Sequence, residues 1–465
     1  MRTCRGRVAS LLVVGALING GCSSDDSSDQ SNSIASPVAT AVTAESADSV
    51  PDIGLPDTPA GRQLSWVLAR GATATINDVI AHFDPSFLTA VPASDVLPIL
   101  QSMGMITLVS VGPTNNTGLT AVLRSSDGAL LQATIAVRAD SPNLVTGLTL
   151  APVELPVAPT TWAEVDTRLD RLAATTSMLA AEVADDTSFV VAHERATDQP
   201  GAIGSAVDLY VLGMLSDRIA SGDLAWDDEL TITSSNRSVP SGHLQDRPDG
   251  STVTIREAAE LMMSISDDTA TDLLIDAVGR DLVEQALAPM GMGEASQTLT
   301  LPLLKTREFF ILTWASNQAE RDAYIAAGAD KRRQILASLP ADLPSTALVD
   351  PTRPTAIDGI EWFASASEMA RAQLWVDSQR GLPGQEPLEQ ILGANPGIDL
   401  DPAEWTTATF KGGSEPGVVA MSWLLTRFDG RRFVVSIIAN DATSPVDERD
   451  ATAIATGIID LLATT

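Results

Sequence analysis

Three short stretches of this chain carry residue types that could make and break an acyl bond. The first is Gly204-Ser205-Ala206-Val207-Asp208. A serine hydroxyl at the start of a helix gains from the positive end of the macrodipole, and its own amide can help bind a developing oxyanion. The same place suits a plain helix cap, for which serine is among the preferred residues. Asp208 follows three residues on, so in a helix its carboxylate shares the face of Ser205. It can accept a proton, but a carboxylate with a pKa of about 4 is a weak base at neutral pH. The second stretch is Ser266-Asp267-Asp268, which reads either as a polar cluster or as a capped helix start. Asp268 offers only acceptors when ionised. The third is Lys411-Gly412-Gly413-Ser414, where Gly413 lets a second backbone come close. Lys411 is either part of that site or a solvated strand lysine.

The elements that must hold these stretches follow from periodicity. Leu209, Leu212 and Leu215 recur at helical spacing behind Ser205, and Gly222 ends the run. Ahead of it, Trp162 to Val183 reads as one amphipathic helix and Ser188 to Ala192 as a short buried strand. A strand begins at Ala408. Val418–Arg427 and Arg432–Ala439 read as strands joined at Asp429-Gly430, and Asp447–Ala463 as a closing helix. Residues 58–157 form a separate pattern. Leu64, Val67, Leu68, Ile76, Val79, Ile80, Phe83, Phe87 and Leu88 keep helical spacing. Strands are then predicted over 106–111, 120–123, 130–137 and 145–150, with Asn115-Asn116 and Asp127-Gly128 as turns. Helices followed by an antiparallel sheet make a small α+β domain. The proline-bearing segment Ala151–Thr160 reads as the connector to the second domain, and the class of the whole is α+β.

In this order and register, Ser205-x-x-Asp208, Ser266-Asp267-Asp268 and Lys411-Gly412-Gly413 resemble the Ser-x-x-Lys, Ser-Asp-Asn and Lys-Thr-Gly motifs of serine β-lactamases and penicillin-binding proteins. The resemblance covers about residues 162–462, element order included. It implies a helical cluster plus an antiparallel sheet, acylation at Ser205, proton transfer to the leaving group through Ser266, and help from Lys411. It also implies Ser414 as the second oxyanion donor, admitted by Gly413, and Asp268 where an asparagine holds substrate amides. The departures are as informative. Asp208 stands where a lysine accepts or relays the serine proton, and Lys305 or Lys331 would have to arrive through the fold. Asp268 loses an amide donor, and Gly412 replaces the hydroxyl residue that binds a substrate carboxylate. No Glu-x-x-Leu-Asn loop precedes Lys411; Glu389 is misplaced for it. With Lys411, Asp208 and Asp268 all ionised, the local charge falls from about +2 to about −1, which disfavours an anionic substrate. Lys411 pairing with Asp208 would instead lock the site. The layout, and Leu299–Pro302 with Thr306-Arg307-Glu308, are similar to the two-domain β-lactamase-like proteins of clavulanate gene clusters. Residues 58–157 resemble their ketosteroid-isomerase-like module. The resemblance implies a serine hydrolase for a β-lactam-like or peptidoglycan-derived small molecule, or a catalytically silent relative that binds a cell-wall fragment or a protein. It implies no cofactor and no metal.

Composition narrows the partners. A net charge of −31 over 465 residues argues against nucleic-acid binding and against docking on anionic lipid through basic patches. The cysteines are Cys4 and Cys22, both near the N-terminus, and the histidines are His82, His193 and His243, so a metal site is not expected. His193 and His243 flank Ser205 and leave a Ser-His pair as an alternative. Arg2, Arg5 and Arg7 precede an apolar run, Val8–Ile18, and then Asn19-Gly20-Gly21-Cys22. This reads as a lipoprotein-type signal over 1–22 with lipidation at Cys22. A Ser/Asp-rich tether over 23–57, a small domain over 58–157 and the β-lactamase-like domain over 158–465 follow. The expectation is an exported protein of the cell envelope, lipid-anchored or secreted.

Overall fold

The computed structural model describes residues 55–56, 58–102, 106–114, 117–125, 129–153, 156–185, 188–343 and 351–465. Cys22, the apolar run before it and most of the Ser/Asp-rich tether lie outside the described residues. The chain divides into two compact units, residues 1–154 and 155–465.

The first unit begins with α1 (Pro59–Arg70), capped by the Thr58 hydroxyl, which accepts the Gly61 amide at 3.0 Å, with Pro59 in the first turn. Next come α2 (Ile76–His82), opened by a Thr75/Asp78 capping box, α3 (Pro85–Ala90) and α4 (Ala93–Ser102). Four strands then form an antiparallel meander: β1 (Ile106–Thr114), β2 (Gly118–Ser125), β3 (Leu130–Val137) and β4 (Val145–Pro152). Leu64, Val67, Val79, Phe83 and Leu100 from the helices pack on Leu119, Leu123 and Ile135 of the sheet. This is the helices-then-sheet α+β arrangement read from the sequence.

The second unit opens with α5 (Trp162–Leu172), β5 (Thr175–Asp185), β6 (Ser188–Arg195) and β7 (Gly201–Ala202), and then α6 (Asp208–Ala220). Helices dominate the middle. After β8 (Glu229–Thr231) and β9 (Thr252–Thr254) come α7 (Ile255–Ile265), α8 (Asp268–Val278), α9 (Arg280–Ala286), α10 (Glu294–Thr300), α11 (Thr306–Phe310), α12 (Gln318–Ile325) and α13 (Ala329–Ala337). The chain then returns through β10 (Phe363–Ala364), α14 (Ala366–Ser378) and α15 (Leu388–Gly393) to β11 (Trp405–Glu415), β12 (Val418–Arg427) and β13 (Arg432–Asn440), and closes with α16 (Glu448–Ala463). The five-stranded antiparallel sheet has the order β11-β12-β13-β5-β6. On one side α5 and α16 bury Val165, Leu169, Ile454 and Ile458 against Met178, Ala180, Val435 and Ile437. Residues of the opposite side, Leu179, Ala181, Leu424 and Val434, pack on α14. The helical cluster keeps its own core, with Leu209, Leu212 and Leu215 of α6 fully buried among α7 and α8.

Two local readings are corrected. The helix from Trp162 stops at Leu172, and Thr175–Asp185 is a strand. Met178–Ala181 is buried on both faces between β13 and β6. A doubly covered strand has no alternation to tell it from a helix. Ser188–Arg195 is a strand, but an edge strand, with Val190 59% and Val191 46% exposed.

Candidate active site

Ser205 lies half-buried on a 3₁₀ turn, Gly204–Val207, that runs directly into α6. Gly204 has φ +50°, a left-handed conformation that suits glycine. Gly413 of β11 presses on this turn. A side chain added there would begin 2.2 Å from the Ile203 carbonyl oxygen and 2.5 Å from the Ser205 amide nitrogen. The Ser414 amide nitrogen lies 3.5 Å from the point where a Gly204 side chain would begin. The absent side chains therefore let the backbone of β11 at Gly413 and Ser414 lie close against the Gly204–Ser205 turn.

Next to this turn is a buried ionic chain. Lys411 is 1% exposed, and its Nζ donates to the Met262 carbonyl at 3.0 Å and to Ser266 Oγ. The same nitrogen lies 2.8 Å from Asp208 Oδ2. An ammonium has three N–H donors, and three acceptors surround this one. The other Asp208 oxygen accepts from Thr271 Oγ1 at 3.1 Å. Burial pushes the Asp208 carboxyl above the usual range, and Lys411 opposes the shift. Ser266 is the αL residue between α7 and α8, with φ +52°. That conformation is uncommon for a residue with a side chain, and it accompanies the Ser266 hydroxyl's contact with Lys411.

Asp267 and Asp268 have separate tasks. Asp267 caps α8 by accepting the Ala270 amide at 2.9 Å, and its second oxygen ties down the amides of His243 and Leu244. Asp268 exchanges two hydrogen bonds with Ser241: its carboxylate accepts the Ser241 amide at 2.8 Å, and its own amide donates to the Ser241 carbonyl at 3.1 Å. Burial raises the Asp268 carboxyl well above its ordinary value, with Asp272, Asp267 and Asp208 adding to the shift. This favours the neutral acid, which has one O–H donor and one free acceptor. Asp272, one turn on, accepts the Thr306 and Arg307 amides, and burial pushes it up to about 7.

Asp208 and Ser266 thus both contact Lys411, and two residues along the same strand Gly413 packs on the backbone of Ser205. The alternatives go elsewhere. Lys305 pairs with Asp276, and Lys331 donates to Gln334. His193 bonds Asp166 and stacks on Trp162, while the backbone of His243 donates to Asp267. Among the described residues none hydrogen-bonds the Ser205 hydroxyl. Glu389, on α15, pairs with Arg380. Thr271, Ser241 and the Met262 carbonyl were missed from the sequence. Of these, Thr271 alone had a signal, one helical turn beyond Asp268.

Residues 162–330 match the family model described as the beta-lactamase enzyme family, and the second unit is a serine β-lactamase-like domain. Residues 55–145 match the model described as ORF 12 gene product N-terminal. No curated protein sequence matches the chain. Among solved structures, a beta-lactamase from Sphaerobacter thermophilus DSM 20745 is 20% identical over 65% of this chain and 97% of its own, with a TM-score of 0.45. PBP-A is 16% identical over 67% and 99%, with a TM-score of 0.43. A class A beta-lactamase from Mycobacterium abscessus is 14% identical over 65% and 98%, with a TM-score of 0.44.

Proposed function

We propose that this protein is an exported serine hydrolase of the β-lactamase type, acylated at Ser205, slow in that step, and selective for acyl groups without a carboxylate. The observation that carries the reading is the Asp208–Lys411 ion pair at 2.8 Å. Ser205 keeps the turn, the amide and the neighbouring strand that acyl transfer needs. Ser266 keeps its contact with Lys411 and is the group to protonate the leaving atom. The basic partner of Ser205 is replaced by a carboxylate already committed to Lys411 and Thr271. Loss of a tuned base costs about 10²–10⁴ in rate. Lys411 is buried, bonds the Met262 carbonyl and Ser266 and lies 2.8 Å from Asp208, so it offers little to a substrate carboxylate. Gly412 and its cross-strand neighbour Met421 provide no charge or hydroxyl in its stead. A neutral ester or amide, with its carbonyl between the Ser205 and Ser414 amides and an amide group on Asp268, fits this set of donors and acceptors. Export and lipid attachment at Cys22 belong to the same proposal, on the strength of the basic and apolar N-terminal residues.

A second reading has the same ion pair behind it: a binding protein that holds a cell-wall fragment or a protein without turnover. One experiment separates them. Residues 55–465 are incubated with a reactive β-lactam and with a neutral activated ester, and intact mass is read beside Ser205→Ala. An adduct on the wild type alone, faster with the ester, supports the hydrolase. A folded protein that gains no mass from either reagent supports the binding protein.

A further inference from the structure

The last turn of α7, which delivers Ser266 to Lys411, is held by donors from outside the helix. A helix end leaves its last carbonyls without partners of their own. The amides of Ser266 and Asp267 turn back to the Leu261 carbonyl. Carbonyls further along the turn are met by side chains from three separate segments. Lys411 of β11 donates to Met262 at 3.0 Å. Asn395, just after α15, donates through Nδ2 to Ser264 at 2.9 Å. The Ser241 hydroxyl donates to Ile265 at 3.2 Å.

Asn395 belongs to a short strap, Asn395-Pro396-Gly397, whose residues grip three elements. Asn395 Oδ1 accepts the Gly397 amide at 2.8 Å, which turns the chain and leaves Nδ2 to face α7. One side-chain amide does both because it carries a donor and an acceptor; a carboxylate could make the turn but has nothing to give Ser264. The Pro396 carbonyl accepts the indole N–H of Trp423 of β12 at 2.9 Å, and Trp423 is fully buried in the core under the sheet. Gly397 has φ +77°, and a side chain there would begin 2.6 Å from the Phe410 ring. Phe410 precedes Lys411 on β11, and its ring centre lies 4.6 Å from that of Trp423. The strap therefore ties the end of α7 to β11 and β12 beside Lys411.

We propose that Asn395 is a positioning residue for Ser266: by pinning the Ser264 carbonyl to the strap, it fixes the last turn of α7 so that the Ser266 hydroxyl stays on Lys411 Nζ. Ser266 follows the bonded carbonyl by two residues, so a turn that shifts carries the hydroxyl with it. The consequence for catalysis, a Ser266 placed to protonate the leaving oxygen, rests on the reading of Ser205 as the nucleophile; the consequence for the end of α7 does not.

Two variants of the full-length chain test this. Asn395→Asp keeps the acceptor for Gly397 and loses the donor to Ser264; Asn395→Ala loses both. Hydrogen exchange by mass spectrometry follows the peptide spanning 262–269. In each variant that peptide exchanges about two- to tenfold faster than in the wild type, the effect of losing one hydrogen bond, while peptides of β13 and α16 keep wild-type rates. The second readout is Ser205 acylation, by intact mass, from two neutral esters with the same acyl group. A p-nitrophenyl ester releases its leaving group as the anion; a trifluoroethyl ester needs the proton of Ser266. The ratio of the trifluoroethyl rate to the p-nitrophenyl rate falls by about tenfold in Asn395→Asp, part of the 10²–10⁴ that a placed proton donor contributes. A general weakening of the fold lowers both rates together and leaves the ratio alone. An unchanged ratio, or an unchanged 262–269 peptide in a folded Asn395→Asp protein, overturns the proposal. If neither ester acylates the wild type, the hydrolase reading fails, and the exchange data by themselves decide whether Asn395 holds the turn that carries Ser266.

Discussion

Asp208→Asn is the sharpest perturbation of this site. The substitution keeps the shape of the side chain and an acceptor for Thr271, and it removes the charge facing Lys411. At an effective dielectric near 20, opposite charges 2.8 Å apart attract by roughly 6 kcal/mol. Desolvation of both groups offsets much of this, and Lys411 and Asp208 are each only 1% exposed. Breaking such a pair from one side typically costs about 3–5 kcal/mol, because the surviving charge is stranded. Thermal unfolding of the second unit should therefore drop by roughly 10 °C, at about 2–4 °C per kcal/mol. The partner variant Lys411→Met, alone, should lose a similar amount. Together, Asp208→Leu and Lys411→Met should recover most of the loss, since an apolar pair of similar volume replaces a buried ion pair at little cost. The assay is differential scanning calorimetry at pH 7. An Asp208→Asn protein as stable as the wild type, or a double variant no better than the singles, would refute the view of this pair as a structural lock.

Asp208→Lys should restore a base beside Ser205 and raise ester acylation by about 10²–10⁴, read by burst kinetics or intact mass; a folded variant with no gain would mean that the missing lysine is not what limits the site. Gly413→Ala forces a methyl to within 2.5 Å of the Ser205 amide nitrogen, so β11 or the turn must move. A loss of about 1–3 kcal/mol in stability accompanies a collapse of acylation, and an Ala variant that reacts normally would contradict the close approach. Asp272 binds its proton more tightly folded than unfolded, being pushed up to about 7. The native state then holds more protons than the unfolded state between the ordinary carboxylate value and about 7, so this contribution is full in acid and lost as pH rises through that window. Melting temperature against pH should be flatter there in Asp272→Asn than in the wild type; parallel curves would remove Asp272 as a cause.

The sequence alone marked many of the elements and the three stretches that resemble motifs. Turn residues, helix caps and the apolar period act within a few residues, so strands β3 and β12 were legible to the residue, and α16 to its Asp447 cap. The same local rules failed at Thr175–Asp185, where burial on two faces erased the alternation that marks a strand. Three motifs in register also indicated the fold, because each residue type answers a local need: a serine at a helix start, a glycine where backbones meet. Only the tertiary structure decided their electrostatic state. Whether Asp208 pairs with Lys411, and how deeply Asp268 is buried, depend on distances and burial between segments far apart in the chain. Charge interactions scale with both quantities, and neither is written in the spacing of residues along one strand or helix.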